Sequence, residues 1–344
     1  MRWWFVFALA ALSACGFSPK NASGDGGIDG PMIDGGSGSS APVTVTLTVD
    51  LGNGSNDLTD FPLLVELDST HIDYSSVPDP TTGFTFLASG SGQPLDYDVD
   101  HWDPHGTSAL WVHVPLVTAG STPTLTMTYG TGQHAASSFD TWSGFTQVLH
   151  FDSPNGGDSV GTFFTPAATD VATAAGEIGS AAGFVTGSTV GFANGNLLYE
   201  HWDTFTLELW LYMDYDSPPA AANVFQRGTD IVGLYNTTAA LSTAWDLDNN
   251  TPVGNNLAFP LRTWTLVAIT WASGTLTGYV NGAAISSASG SSTKLTGDLT
   301  QSFTLGSGFQ GRIDELELDK QQHPNDWFPA EYKSQTGAAV TFGP

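Results

Sequence analysis

The chain has 344 residues, a single cysteine and a formal net charge of −26 at pH 7. Between Asn21 and Gln226 it has 24 acidic residues and no Lys or Arg, which excludes a nucleic-acid-binding surface there, because such affinity depends on basic residues that neutralise phosphate. One cysteine excludes disulfide bonds within the chain, so stability must come from packing or from a metal held by oxygen ligands. The negative charge suits either solubility or the binding of divalent cations.

The N-terminal segment has the layout of an export signal. Arg2 precedes a short apolar run at 3–12, which leads into the small residues of the motif LSAC. The run is about half the roughly 20 residues that a membrane-spanning helix needs. The segment resembles a bacterial lipoprotein signal, which implies removal of residues 1–14 and acylation of Cys15, with palmitate as one of the chains. Gly16 rather than Asp follows the cysteine, which favours the outer membrane or the cell surface.

Residues 15–41 form the next segment, which is rich in Gly, Ser and Asp and has no apolar periodicity. Such composition is typical of a flexible linker. Its Asp-Gly steps lack the terminal Glu of an EF-hand calcium loop. We interpret this segment as a tether that holds the folded domains away from the membrane.

The pattern of a β-sandwich begins after Pro42. Residues 43–51 alternate between apolar side chains and Thr or Asp, which predicts a half-buried strand. Turns rich in Gly, Pro, Ser and Asp separate this strand from further predicted strands at 61–67, 84–88, 95–100, 109–114 and 122–129. In the predicted strand at 95–100, Asp96, Asp98 and Asp100 share one face, which we interpret as solvated, with cation binding as the weaker alternative.

The order of these strands is similar to that of a known bacterial and archaeal module. The stretches DFPLLVEL, GFTFLASGSGQPLDYDVDHWDP, ALWVHVPLV and TLTMTYG resemble domain of unknown function family 2341 over residues 42–132. The resemblance implies a first β-sandwich domain at 42–141. It implies no activity, because the family has none assigned.

A second predicted domain occupies residues 142–344. Its core stretches are FTQVLHFD, FTLELWLYM, WTLVAITWASGTLTGYVNG, FTLGSGF and GRIDELELD. Ser273-Gly274 and Asn281-Gly282 are predicted turns, since Asn-Gly is the strongest short hairpin signal. In this order the stretches resemble the laminin G-like or concanavalin A-like jelly roll. The predicted fold class is therefore all-β, with two sandwiches and a short closing helix at 324–334.

Motifs for catalysis are not found in the sequence. A glycoside hydrolase needs two carboxylates that face each other across a cleft, and the superfamily places them in a Glu-x-Asp-x-x-Glu strand. The acids of the late strand do not have that order: Asp314, Glu315, Glu317 and Asp319. The sequence predicts a protein that is not an enzyme, with a divergent glycosidase as the remaining alternative.

Calcium is the candidate cofactor. Strand alternation places Asp314 on the same side as Leu316 and Leu318, where a carboxylate must be hydrogen-bonded or must coordinate a metal. The resemblance implies a calcium site completed by this aspartate and by backbone carbonyls near residues 151–158, to which Asp152 and Asp158 can add side chains. The alternative is a structural aspartate that accepts backbone N–H groups at a turn.

Carbohydrate is the candidate ligand. Sugars stack on exposed aromatic faces and bond to amide groups, and Trp210, Tyr235, Trp245 and Asn281 are the candidate contacts. Tryptophan and tyrosine are also common in buried cores, so this interpretation depends on their exposure.

The sequence predicts a lipid-anchored surface protein that binds a glycan or a protein, with calcium as a structural or bridging ion. A structural envelope protein without a soluble ligand is the alternative. A concave face with exposed aromatic rings and convergent polar groups would favour the binding protein.

Overall fold

Four β-sheets make up the described part of the protein. Residues Ser39–Pro344 form one compact unit, in which strands far outnumber helices, as the sequence predicted. Among the described residues, no helix has the length and hydropathy needed to cross a bilayer. The computed structural model describes residues 41–153, 156–161, 166–192, 203–214, 222–227, 233–237, 242–246, 252–258, 260–289 and 303–343.

The first sandwich consists of a five-stranded and a three-stranded sheet that enclose one core. Two 3-10 turns, Tyr74–Ser76 and Pro80–Thr82, lie between its second and third strands. Its strands are β1 (Val43–Val49), β2 (Leu58–Leu67), β3 (Phe84–Ala88), β4 (Pro94–Leu95), β5 (Tyr97–His101), β6 (Ser108–Val117), β7 (Thr124–Tyr129) and the C-terminal β23 (Val340–Phe342). The sheets have the orders β23-β1-β7-β3-β4 and β2-β6-β5.

The alternation predicted for β1 is confirmed. Leu47 and Val49 are buried, whereas Thr46 and Thr48 are exposed. Strand β2 differs, because its run from 61 to 65 is buried on both faces. A continuous apolar run of this length is typical of a strand without a wet side, and the second sandwich covers its outer face.

The second sandwich encloses the core between an eight-stranded and a seven-stranded sheet. Its strands are β8 (Phe145–Leu149), β9 (Pro166–Thr169), β10 (Ala172–Ala175), β11 (Ser180–Phe184), β12 (Thr189–Phe192), β13 (Thr204–Met213), β14 (Ala222–Arg227), β15 (Gly233–Thr237), β16 (Ser242–Asp246), β17 (Pro252–Ala258), β18 (Thr265–Ala272), β19 (Thr275–Val280), β20 (Ala283–Ser289), β21 (Phe303–Leu305) and β22 (Gly311–Asp319). One sheet has the order β10-β11-β22-β13-β18-β19-β20, with β8 paired to β22, and the other has the order β17-β16-β15-β14-β21-β12-β9. A short helix, α1 (Ser138–Thr141), precedes β8.

The two predicted hairpin turns are confirmed by their backbone angles. Ser273 and Gly274 have φ values of 49° and 85°, and Asn281 and Gly282 have φ values of 49° and 77°. Positive φ at both central residues matches the twist of the flanking strands. These turns fix the register from β18 to β20.

The C-terminal segment links the two sandwiches. Helix α2 (Trp327–Gln335) confirms the predicted closing helix, and six of its nine residues are buried on one broad face. The ring of Trp327 packs edge-on against Phe61 at 5.0 Å, and Phe328 stacks on Tyr279 at 3.7 Å. Strand β23 then pairs with β1. The predicted second domain, 142–344, therefore contributes its last strand to a sheet of the first sandwich.

Candidate functional site: an acidic pocket between the sandwiches

A β-bulge in β22 decides which side chains reach the space between the sandwiches. Glu315 has a φ of 45°, and the pairing with β13 shifts register beside it. Leu316 and Leu318 enter the core of the second sandwich, and so does Ile313. The extra residue thus reverses the alternation, so Asp314 points away from that core. The predicted position of Asp314 beside the leucines was wrong, because strand parity was counted through the bulge.

The face of β22 that looks away from the core is lined with buried carboxylates. Paired residues of antiparallel strands point to the same side, so β13 adds one acid opposite Glu317, and α2 and β5 add others. Two histidines, His150 and His323, lie among them. The buried acids are Asp98, Asp100, Glu208, Asp314, Glu315, Glu317, Asp319 and Glu331.

His150 is the centre of one group within this set. It follows the last residue of β8, and its Nδ1 atom lies 2.6 Å from Glu315 Oε2 and 3.9 Å from Asp100 Oδ2. Its Nε2 atom faces Asp98 Oδ2 at 3.4 Å. The imidazole therefore has carboxylates at both nitrogens. We call Asp98, Asp100, His150 and Glu315 the junction cluster.

Two indoles hold the aspartates of the junction cluster in place. Trp142 Nε1 donates to Asp98 Oδ2 at 3.1 Å, and Trp111 Nε1 donates to Asp100 Oδ2 at 3.2 Å. The hydroxyl of Ser138 donates to Asp98 Oδ1 at 2.6 Å. The solvated face predicted for β5 was wrong for these two aspartates, because the second sandwich covers that face and supplies polar partners.

The junction cluster holds more carboxylate than its histidine neutralises. Burial raises the pKa of Glu315 to about 8, against the lowering effect of His150. Burial and the charge of Glu315 raise the pKa of Asp100 well above its usual value. Burial alone would lower the pKa of His150, but Glu315 and Asp100 raise it. Burial also opposes ionisation of Asp98, yet contact with His150 and nearby hydroxyls lower its pKa to about 2.

A pocket of about 450 Å³ opens above the junction cluster. At its rim Asp152 lies 3.6 Å from His101 Nδ1, and Asp158 Oδ1 accepts from the backbone of Val160 at 3.2 Å. Burial raises the pKa of Asp152. Carboxylates, hydroxyls and glycine backbone converge on the space, which is lined by Asp98, Val99, Asp100, Ser138, His150, Asp152, Ser153, Gly156, Gly157, Asp158 and Ser159.

The three residues predicted for calcium do not meet at one point. Asp152 and Asp158 both line the pocket. Asp314 does not, because its Oδ2 atom accepts from the backbone N–H groups of Glu177 at 2.9 Å and Ile178 at 3.1 Å. Burial raises its pKa, and these backbone bonds oppose the rise. Its contacts match the alternative of a structural aspartate at a turn.

The residues predicted for carbohydrate have other surroundings. Trp210 is buried against α2, and its Nε1 atom donates to Gln335 Oε1 at 2.6 Å, so it offers no open face to a sugar. The side-chain oxygen of Asn281 accepts from Leu266 N at 3.0 Å and stabilises the turn. The side chains of Tyr235 and Trp245 lie outside the described residues, as does Cys15.

Comparison with known proteins relates the second sandwich to one superfamily. Residues 185–321 match the Laminin_G_3 family model, described as the concanavalin A-like lectin/glucanases superfamily. A search of curated proteins found no match to the chain. The resemblance of the first sandwich to family 2341 stays a prediction.

Several solved structures are similar to part of the chain. Domain 4 of AbnA, a GH43 extracellular arabinanase from Geobacillus stearothermophilus in complex with arabinotriose, is 20% identical with a TM-score of 0.46, and the alignment covers 54% of this chain and 96% of that one. The binding domain of botulinum neurotoxin DC in complex with rat synaptotagmin II is 14% identical with a TM-score of 0.45, over 56% of this chain and 52% of that one. The alignment thus spans about half of the neurotoxin domain. This all-β chain carries a concanavalin A-like lectin/glucanase superfamily domain at residues 185–321.

Proposed function

We propose that the protein is a non-catalytic binding module that takes a glycan into the acidic pocket between its sandwiches. The observation that carries this proposal is the set of fixed hydrogen-bonding groups around the pocket. Its volume falls within the roughly 300–1,000 Å³ typical of small-molecule sites. Carboxylate oxygens accept hydrogen bonds, and serine hydroxyls both donate and accept, which matches the hydroxyl groups of a sugar.

The positions of these groups are set before any ligand binds. Asp98 is bonded through both oxygens, to Ser138 and to Trp142. Asp158 is held by backbone N–H groups on either side of its loop. Side chains that are locked by their own hydrogen bonds lose little entropy when a ligand arrives. This supports a site built for recognition.

The same bonds argue against glycoside hydrolysis in this pocket. A hydrolase needs a protonated acid and a second carboxylate that both reach the scissile bond. Asp98 stays ionised, since its pKa is about 2, and Trp111 occupies one oxygen of Asp100. Glu315, the member of the junction cluster whose pKa is raised to about 8, is only 1% exposed and does not line the pocket. This arrangement favours binding over catalysis.

A glycan array tests the proposal. The full chain is applied to an array of defined oligosaccharides, and hits are measured by calorimetry. Asp152→Asn removes a charge at the pocket rim, and we expect it to weaken binding by about 10- to 100-fold, since a hydrogen bond to a charged group contributes about 1.5–3 kcal/mol. The matched control is Asp60→Asn, an exposed aspartate on β2. An array without hits, or equal affinity of both variants, would contradict the proposal.

Two further parts of the proposal have tests of their own. Lipid attachment at Cys15 predicts that radiolabelled palmitate enters the wild-type chain expressed in a bacterium and does not enter Cys15→Ser. A calcium ion at the rim, held by Asp152 and Asp158, predicts that millimolar calcium raises the unfolding midpoint of the wild type and not of Asp158→Asn. Label in Cys15→Ser would contradict lipidation there, and equal shifts in both proteins would contradict the calcium site.

A further inference from the structure

We infer that Asp100, His150 and Glu315 of the junction cluster form a binding site for one divalent transition-metal ion of the zinc type. One donor atom from each residue lies within 4.8 Å of the others, and all three residues are buried. Asp100 belongs to the first sandwich, and the other two residues belong to the second. The ion would therefore connect the two sandwiches. This inference does not depend on glycan binding.

Two carboxylate oxygens of the junction cluster are evidence for a bound cation. Asp100 Oδ1 and Glu315 Oε1 are buried and have no hydrogen-bond partner among the residues that the structure describes. The second oxygen of each carboxylate is bonded, to Trp111 Nε1 in one case and to His150 Nδ1 in the other. Buried polar atoms are almost always paired with protein, water or an ion. A cation between the two free oxygens would satisfy both.

The surroundings of His150 match those of a metal-bound histidine. Its Nδ1 atom now shares a proton with Glu315 Oε2 at 2.6 Å, and a zinc ion bound at Nδ1 would replace that proton, whereas the Nε2 atom faces Asp98 at 3.4 Å. A histidine that binds a metal through one nitrogen nearly always directs the other toward a carboxylate or carbonyl, which fixes the ring. Ser138 and Trp142 in turn hold Asp98. The hydrogen bonds of Asp98 with Ser138 and Trp142 therefore supply the contacts that hold the carboxylate partner of a metal-bound histidine in place.

The donor set favours zinc over calcium. Zinc binds imidazole nitrogen and carboxylate oxygen in four-coordinate sites, so three protein ligands leave one position for water or another ligand. Calcium takes six to eight oxygen ligands, and here one of three donors is nitrogen. Asp100 and His150 also line the pocket, which gives an entry path and room for a fourth ligand. A divalent ion balances the charges of its two carboxylate ligands, Asp100 and Glu315, which lowers the cost of burying them.

Metal analysis of the full chain tests the inference. The protein is stripped with a chelator, dialysed against zinc chloride and then against buffer, and its metal content is measured by mass spectrometry. We expect one zinc per chain with micromolar or tighter affinity, and a higher unfolding midpoint in the loaded protein. Asp100→Asn and Glu315→Gln should each weaken zinc binding at least a hundredfold. Glu331→Gln, an equally buried glutamate outside the cluster, should retain the wild-type affinity.

The outcomes separate this inference from the proposed function. Wild-type protein that retains no zinc, or cluster variants that retain as much as the wild type, would overturn the metal site whatever the glycan array shows. If both cluster variants fail to fold, X-ray absorption of the zinc-loaded wild type shows instead which ligands surround the ion. One imidazole nitrogen and carboxylate oxygens at about 2.0–2.2 Å support the site. A shell of several imidazoles, or of water alone, contradicts it. If the protein binds zinc but the glycan array gives no hits, only the proposal of glycan binding is refuted.

Discussion

Glu208→Gln is expected to stabilise the protein at neutral pH. Glu208 on β13 is buried beside Glu317, and its Oε1 atom accepts from Trp327 Nε1 at 3.0 Å, whereas Oε2 has no hydrogen-bond partner in the described part of the chain. Burial raises the pKa of Glu208 from 4.5 to about 8. A glutamine keeps the oxygen that accepts from the indole. Its amide group replaces the unpartnered oxygen and supplies a donor to a region rich in acceptors.

The magnitude follows from proton linkage. Between pH 4.5 and 8 the folded state holds a proton on Glu208 that the unfolded state releases. The contribution of this proton to the free energy of unfolding is therefore fully present below pH 4.5. It falls by about 1.4 kcal/mol per pH unit as the pH rises toward 8. At pH 7.5 the loss in the free energy of unfolding amounts to about 4 kcal/mol, because this pH lies three units above the pKa of 4.5 that Glu208 has in the unfolded chain. Glu208→Gln has no proton to lose at this position, so it should avoid most of that loss in the free energy of unfolding.

Urea unfolding at pH 5, 6, 7 and 8, followed by tryptophan fluorescence in the presence of a chelator, measures this effect. The wild-type free energy of unfolding should fall more steeply with pH than that of Glu208→Gln, by about 1.4 kcal/mol per unit. The matched control is Asp170→Asn, an exposed carboxylate in the turn between β9 and β10 that should leave the slope unchanged. Parallel curves for the wild type and Glu208→Gln would refute a buried proton at this residue.

Three more changes test the junction between the sandwiches. Gly282→Ala should destabilise the protein by about 1–3 kcal/mol in urea unfolding, because φ is positive there and an added Cβ would lie 2.6 Å from Pro329 Cα; an unchanged midpoint would contradict the close approach of α2. Trp327→Ala should cost about 3–5 kcal/mol, since the ring is 1% exposed, and a loss below 1 kcal/mol would contradict that burial. Removal of residues 338–344 deletes β23, so amide hydrogen exchange should accelerate at Asp50, whose N–H donates to Ala339 O at 2.8 Å, and at Thr48, which pairs with Thr341 and faces the same side. Unchanged exchange at these two amides would contradict the pairing.

Local patterns were sufficient to predict much of the fold. The alternation in β1 reflects one wet and one dry face, and the Ser-Gly and Asn-Gly turns require positive φ values that few other residues adopt. These features depend on neighbours within a few positions. The sequence therefore predicted the β18–β19 hairpin, the strand bounds of β3 and β22, and the closing helix.

The site depends on contacts that local patterns do not contain. Asp98 and Asp100 alternate with apolar residues as solvated side chains do. Alternation alone cannot show whether the hydrogen-bond partner of each carboxylate is water or a buried indole. His150 and its partner Glu315 are separated by 165 residues. The bulge at Glu315 leaves no mark in the sequence GRIDELELD, yet it reverses the direction of Asp314. A histidine at the end of the apolar run FTQVLHF was the available signal, and its meaning required the position of β22.

Zinc titration of the chelator-treated full chain, followed by tryptophan fluorescence, tests the central claim most directly. The rings of Trp111 and Trp142 lie 6.0 Å and 5.5 Å from the imidazole of His150, so an ion at the junction cluster must change their surroundings. We expect a saturable change that ends at one equivalent of zinc in the wild type and is lost in Asp100→Asn. A signal that does not respond to zinc, or that responds equally in Asp100→Asn, would contradict a metal-binding junction between the two sandwiches.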